Sequence, residues 1–106
     1  AHGLTREEVR RMQLEAVEHA REDMSAHHLI DVRTTVEFDL NKAERMIEEY
    51  GDLLDADQRD RLKRDAAALR QLARSSSEAR QINEKREQFN RLTIPLAEKA
   101  IAASLK

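Results

Sequence analysis

The sequence predicts an all-α fold: an N-terminal helix plus a long second helix leading into a small antiparallel bundle, about five helices in all. Three observations carry this. Charged residues make up 38% of the 106 residues and aromatics 3%, with two Gly and one Pro; that is too few β-branched and aromatic side chains for strands and suits long solvated helices. Apolar residues recur at three- and four-residue intervals through most of the chain. Helix-start signals stand ahead of the apolar runs. The mixed signs of charge, a net charge of −2 and the regular apolar spacing also separate this chain from a disordered one.

The first helix starts at Thr5, followed three residues later by Glu8, the spacing of a reciprocal capping box. Leu4 before the cap and Val9 after it are placed for a hydrophobic staple. Val9, Met12, Ala16 and Ala20 then form one stripe of a 3.6-residue period, so this helix is expected from residue 6 to 18 or beyond. Leu29, Val32, Val36, Leu40, Ala43, Ile47 and Tyr50 follow at intervals of 3, 4, 4, 3, 4 and 3. They predict a long helix over 26–50, about 37 Å in length. With no Gly or Pro between residues 18 and 28, the two helices are free to fuse. Gly51 is expected to end the long helix as a left-handed C-cap.

Asp55 and Gln58 signal the next start, and Leu62, Ala66, Leu69 and Ala73 mark a helix over 56–74. The serines at 75–77 form a connector, with either Ser75 (paired with Glu78) or Ser77 as the following cap. Ile82, Phe89 and Leu92 carry a helix to about 93, where Pro95 predicts a break or a kink. A last helix over 95–105 is expected to bury Leu96, Ile101 and Leu105. Connections this short permit only antiparallel neighbours. The stripes of the first helix and of the N-terminal half of the second have no remaining chain to cover them. They therefore call for another domain or a second copy of the chain.

Composition narrows the function. Residues 1–50 hold 7 basic and 12 acidic side chains, and residues 51–106 hold 12 basic and 9 acidic. Neither half has the basic block with interleaved aromatics of a nucleic-acid surface. No cysteine is present, so there is no disulfide framework and no thiolate, as expected in a reducing compartment. No apolar run approaches the roughly 18 residues of a membrane span. The expectation is a cytoplasmic helical protein that is not an enzyme and has no cofactor.

His19, Asp23 and His27 share a helical face, with His28 adjacent. Eight residues of helix separate the outer two by about 12 Å, too far to share an ion at metal–nitrogen lengths of about 2 Å, so no metal site is expected. No Gly-rich phosphate loop, G-x-S-x-G or H-E-x-x-H occurs. Glu37 and Asn41 lie one turn apart beside the apolar stripe of the long helix. Spacing alone reads them as a flank solvated by water.

The order of motifs resembles the C-terminal helical lid of the DnaK-type, seventy-kilodalton heat-shock chaperones. Gly3-Leu4-Thr5 with Glu8-Val9 and Met12 is similar to that family's G-L-[ST]-x-x-E-[IV]-x-x-M, Ala20 and Asp23 to its A-x-x-D, and EEYGDLL at 48–54 to its E-E-x-G-x-L turn. The likeness runs nearly ungapped over 3–54 and more loosely beyond. Ala20 to Leu29 and Thr93 to Ile101 resemble the HscA branch, the chaperones of iron–sulfur cluster assembly. That branch's arginine pair and methionine are replaced here by residues among Leu96, Glu98, Lys99 and Ala100.

The resemblance implies a single lid subdomain over 1–106, with 6–25 a docking helix, 26–50 the long lid helix and 51–106 the bundle helices. It implies an upstream ATPase domain and a β-sandwich that binds client polypeptides, with the lid closing over the peptide. Leu4, Val9, Met12 and Ala16 would dock the sandwich, or form a homodimer of the isolated segment. Glu37 aligns with an acidic latch residue that ties the long helix to sandwich loops. Asn41 aligns with a latch histidine, which it replaces by a group that does not protonate. The alternative is a stand-alone helical-bundle adaptor for partner helices.

Overall fold

In the computed structural model, which describes residues 3–105, four helices and one 3₁₀ turn make up the chain, with no strand among the described residues. They are α1 (Arg6–Tyr50), the turn at Gly51–Leu53, α2 (Ala56–Ser75), α3 (Ala79–Leu92) and α4 (Ile94–Ser104). The all-α fold is as expected, with four helices in place of about five.

The two helices expected over 6–25 and 26–50 are one. Helix α1 runs 45 residues without a break, about 67 Å at 1.5 Å per residue. Nothing between residues 18 and 28 removes a backbone N–H or adds conformational freedom, so propagation continues across the junction. Thr5 caps it, its Oγ1 accepting from the Glu8 N–H at 3.1 Å.

The C-terminal half of α1 is the spine of the bundle. Val32, Val36, Leu40, Ala43 and Ile47 are all buried along it, with Leu29 and Tyr50 half-buried at the two ends of the run. The bundle therefore covers more of this stripe than expected: even Val32 and Val36, in the N-terminal half of the predicted long helix, lie inside it. Helix α2 returns antiparallel and buries Leu62, Ala66, Leu69 and Ala73, and α3 adds Ile82 and Phe89. Val36, Leu40, Ile82 and Leu96 form the fully buried centre.

Polar ties fix the helices around that core. Arg33 of α1 donates from Nε to the Ala73 carbonyl and from Nη2 to the Ser76 carbonyl, both at 2.8 Å, which satisfies carbonyls that the end of α2 leaves without helical partners. Asp39 Oδ2 accepts from Arg86 and from Asn90 of α3, each at 3.0 Å. Lys99 Nζ of α4 donates to the Leu53 carbonyl at 3.0 Å.

Several local expectations change. Gly51 is right-handed, with φ −59° and ψ −25°, and opens the 3₁₀ turn. A left-handed cap is not what selects glycine there. Gly51 is buried, and a Cβ would lie 3.3 Å from Arg59 Cδ and 3.5 Å from Ile47 Cγ2, so its value is close approach. Neither Ser75 nor Ser77 caps α3; Ser76 Oγ accepts from the Glu78 N–H at 3.1 Å. The Asp55–Gln58 box forms in both directions. Pro95 sits in the first turn of α4, where its missing N–H costs nothing. Ile101 and Leu105 are exposed, at 62% and 81%. Helix α4 buries Leu96 and Ala100 instead, an i, i+4 pair whose second member is too small to stand out in a hydrophobic pattern.

Candidate protein-interaction surfaces

The first 22 residues or so of α1 leave the bundle as a bare arm. Every residue from Gly3 to His28 is exposed, and the molecule measures 80 × 27 × 16 Å as a result. With no tertiary contact, the arm depends on its own helix formers. It is rich in Glu, Arg and Ala, and it inherits a nucleated end from the bundle.

All four expected docking residues, Leu4, Val9, Met12 and Ala16, are on this arm and open to solvent; Val9 is 39% and Met12 54% exposed. Leu4 and Val9 bracket the Thr5 cap. At 3.6 residues per turn, Val9, Ala16 and Ala20 point about half a turn away from Val36, Leu40 and Ala43. One helix thus carries two apolar faces, one spent on the bundle and one free. Sequence reading missed that the free face extends: Ile30 and Phe38 follow Met12 and Ala20 by 18 residues, five turns, and are exposed at 56% and 66%. That interval was the available signal, hidden under the stronger bundle stripe that overlaps it.

The structure brings Glu37 and Asn41 together around one arginine of α2. Arg70 Nε donates to Glu37 Oε2 at 3.3 Å, its Nη1 donates to Glu44 Oε1, and its Nη2 reaches Asn41 Oδ1 at 3.5 Å. Arg74 Nη2 approaches the other Glu37 oxygen at 3.4 Å. Glu37 is therefore half-buried and bound to two α2 cations, which corrects the reading of a water-solvated flank. Asn41 is exposed, as that reading has it. The Arg70 guanidinium is held above its ordinary pKa, first by the Glu44 hydrogen bond and further by Glu37, against the opposing pull of burial. It stays charged at any working pH. Arg70 and Arg74 were invisible to sequence reading because no spacing rule links residue 37 to residue 70, whereas Glu44, seven residues after Glu37 on the same helix, shares its face by spacing alone.

His19, His27 and His28 lie along the arm. His19 Nδ1 stands 3.9 Å from Glu22 Oε2, both well exposed, and among the described residues no three His, Cys, Asp or Glu side chains converge as a metal site would need. No helix among them is long and apolar enough to cross a membrane.

The family model for Hsp70 proteins matches residues 1–102. The chain belongs to the Hsp70 family. The motifs that resemble seventy-kilodalton chaperones thus lie within the matched span, and membership gives this Hsp70 chain a chaperone-related role with polypeptide clients as the class of partner.

Proposed function

We propose that this chain is the helical lid of an Hsp70 chaperone, closing over a polypeptide held in a β-sandwich domain of the same protein and slowing its release. The observation that carries the reading is the division of α1. Its C-terminal half is spent on a self-sufficient bundle, and its N-terminal half presents an uncovered apolar stripe that includes Leu4, Val9, Met12 and Ala16. A rigid helix long enough to reach from a docking site across a neighbouring domain is what a lid requires.

The mechanism is a population shift. Contacts between α1 and the sandwich favour the closed state, so the peptide leaves more slowly without any change in the groove that grips it. No bond is made or broken by this segment, and it uses no cofactor. Hydrolysis of ATP belongs to an upstream domain in this reading, and the protein works in the cytoplasm. Glu37 is the latch acid, with Asn41 beside it supplying an acceptor and a donor that do not titrate. The similarities at Ala20–Leu29 and Thr93–Ile101 favour the iron–sulfur assembly branch over general folding.

Glu37→Ala in the whole chaperone tests the latch. One partly exposed charged hydrogen bond contributes about 0.5–1.5 kcal/mol, so a fluorescent peptide is expected to leave about two- to tenfold faster. Unchanged release removes Glu37 from the latch.

A further inference from the structure

Glu37 stands at the border between the two faces of α1. With 3.6 residues per turn it points about 100° away from fully buried Val36 but only about 20° away from exposed Ile30. Asn41 falls about 20° to the other side of Ile30. A body docked on the free stripe at this height therefore meets Glu37 from the solvent side, while α2 holds it from the bundle side.

The two arginines of α2 that hold it are not equivalent. Arg70 is 24% exposed and has three acceptors on α1, Glu37, Asn41 and Glu44, spread over two turns. Losing one of them leaves it bound by the others. Arg74 reaches α1 through Nη2 alone, 3.4 Å from Glu37 Oε1, and its side chain is 67% exposed. Among the described residues Glu37 is its one ion-pair partner. A single exposed contact of this kind contributes little, because water replaces it on release. The guanidinium of Arg33, one turn before Glu37, is directed instead to the Ala73 and Ser76 carbonyls.

The charges of the cluster cancel: Glu37 and Glu44 against Arg70 and Arg74. An ionised carboxylate only accepts hydrogen bonds, so whatever grips Glu37 from outside must donate, and a cation forms the strongest such bond. A third cation brought to this carboxylate meets the repulsion of the two already there. Arg70 is anchored by Glu44 and stays. Arg74 has nothing else to hold it, so it is the one that yields.

We propose that Arg74 competes with the latch, occupying Glu37 Oε1 while the lid is open and giving way to a cationic side chain of the sandwich as it closes. Closure then exchanges one ion pair for another instead of adding one, which makes Arg74 a brake on closure. The inference rests on the lid reading and on Glu37 as its latch acid. It lets Glu37 serve two partners at once: Arg70 keeps Oε2, and Oε1 is exchangeable.

Peptide release from the whole chaperone, measured across a double-mutant cycle of residues 37 and 74, tests the competition. Arg74→Gln should slow release about two- to fivefold, the range of an exposed ion pair, whereas Glu37→Ala speeds it. The double variant should release at the rate of Glu37→Ala alone, because Arg74 acts through that carboxylate. Arg74→Lys keeps the positive charge and should stay close to the parent. A weakened bundle would speed release, so the sign itself separates this role from a structural one. Release from Arg74→Gln at or above the parent rate, with Glu37→Ala fast, overturns the competition and leaves the latch standing. Equal slowing with and without Glu37 also overturns it, because Arg74 would then act through another group. An unchanged rate for Glu37→Ala removes the latch itself, and the competition with it.

Discussion

At residue scale, the structure separates two reasons for a glycine. A left-handed cap at residue 51 would make every other residue costly there, by about 1 kcal/mol or more. The observed backbone is right-handed, which alanine adopts readily. The obstacle is the contact at 3.3 Å with Arg59 Cδ, an atom of a flexible side chain. Alanine also lowers the entropy of the unfolded chain, a gain of about 0.4–1 kcal/mol. Gly51→Ala is therefore expected to change stability by less than about 0.5 kcal/mol in urea denaturation; a loss above about 1 kcal/mol would mean that the Arg59 side chain does not give way to the added methyl. The polar ties obey the same logic of place. Arg33 and Asp39 each stand one residue beside the buried stripe of α1, Arg70 stands one residue beside that of α2, and all three meet partners 29 or more positions away, while Arg70 also meets Glu44. Local spacing marks such residues as flanking and says nothing of what they face, which is why Glu37 read as solvated.

At element scale, legibility followed the strength of the local signal. Seven apolar residues in period and a two-way capping box placed the end of the spine and the start of α2 to within a residue. Helix α4 was read less well because half of its buried face is alanine. The arm is the element with the least support: it is helical by propensity and by its junction with the bundle, and no side chain from another element packs on it. Ala16→Pro should end the helix there, at a cost of about 3 kcal/mol confined to the arm. Far-UV circular dichroism should lose helix, while the melting of the bundle stays within a degree or two. A matching fall in bundle melting temperature would mean that the arm is part of one cooperative unit with it.

For the whole molecule, shape carries the functional reading. The radius of gyration is 21.8 Å, against about 13 Å for a compact chain of this size, and the excess comes from the arm. An apolar strip held away from its own core remains available to something else. The sequence analysis anticipated an uncovered strip at the front of the chain. It placed the boundary too far along, because the bundle begins at Leu29 rather than midway along the long helix. Hsp70 membership then gives that strip a context, a chaperone acting on polypeptides. Most directly, the account is tested by peptide release from the whole chaperone carrying Val9→Asp and Ala16→Asp together. These substitutions put charge on the strip without touching the bundle. The account predicts release as fast as from a chaperone lacking the lid, with the bundle's melting unchanged; release at the parent rate would contradict it.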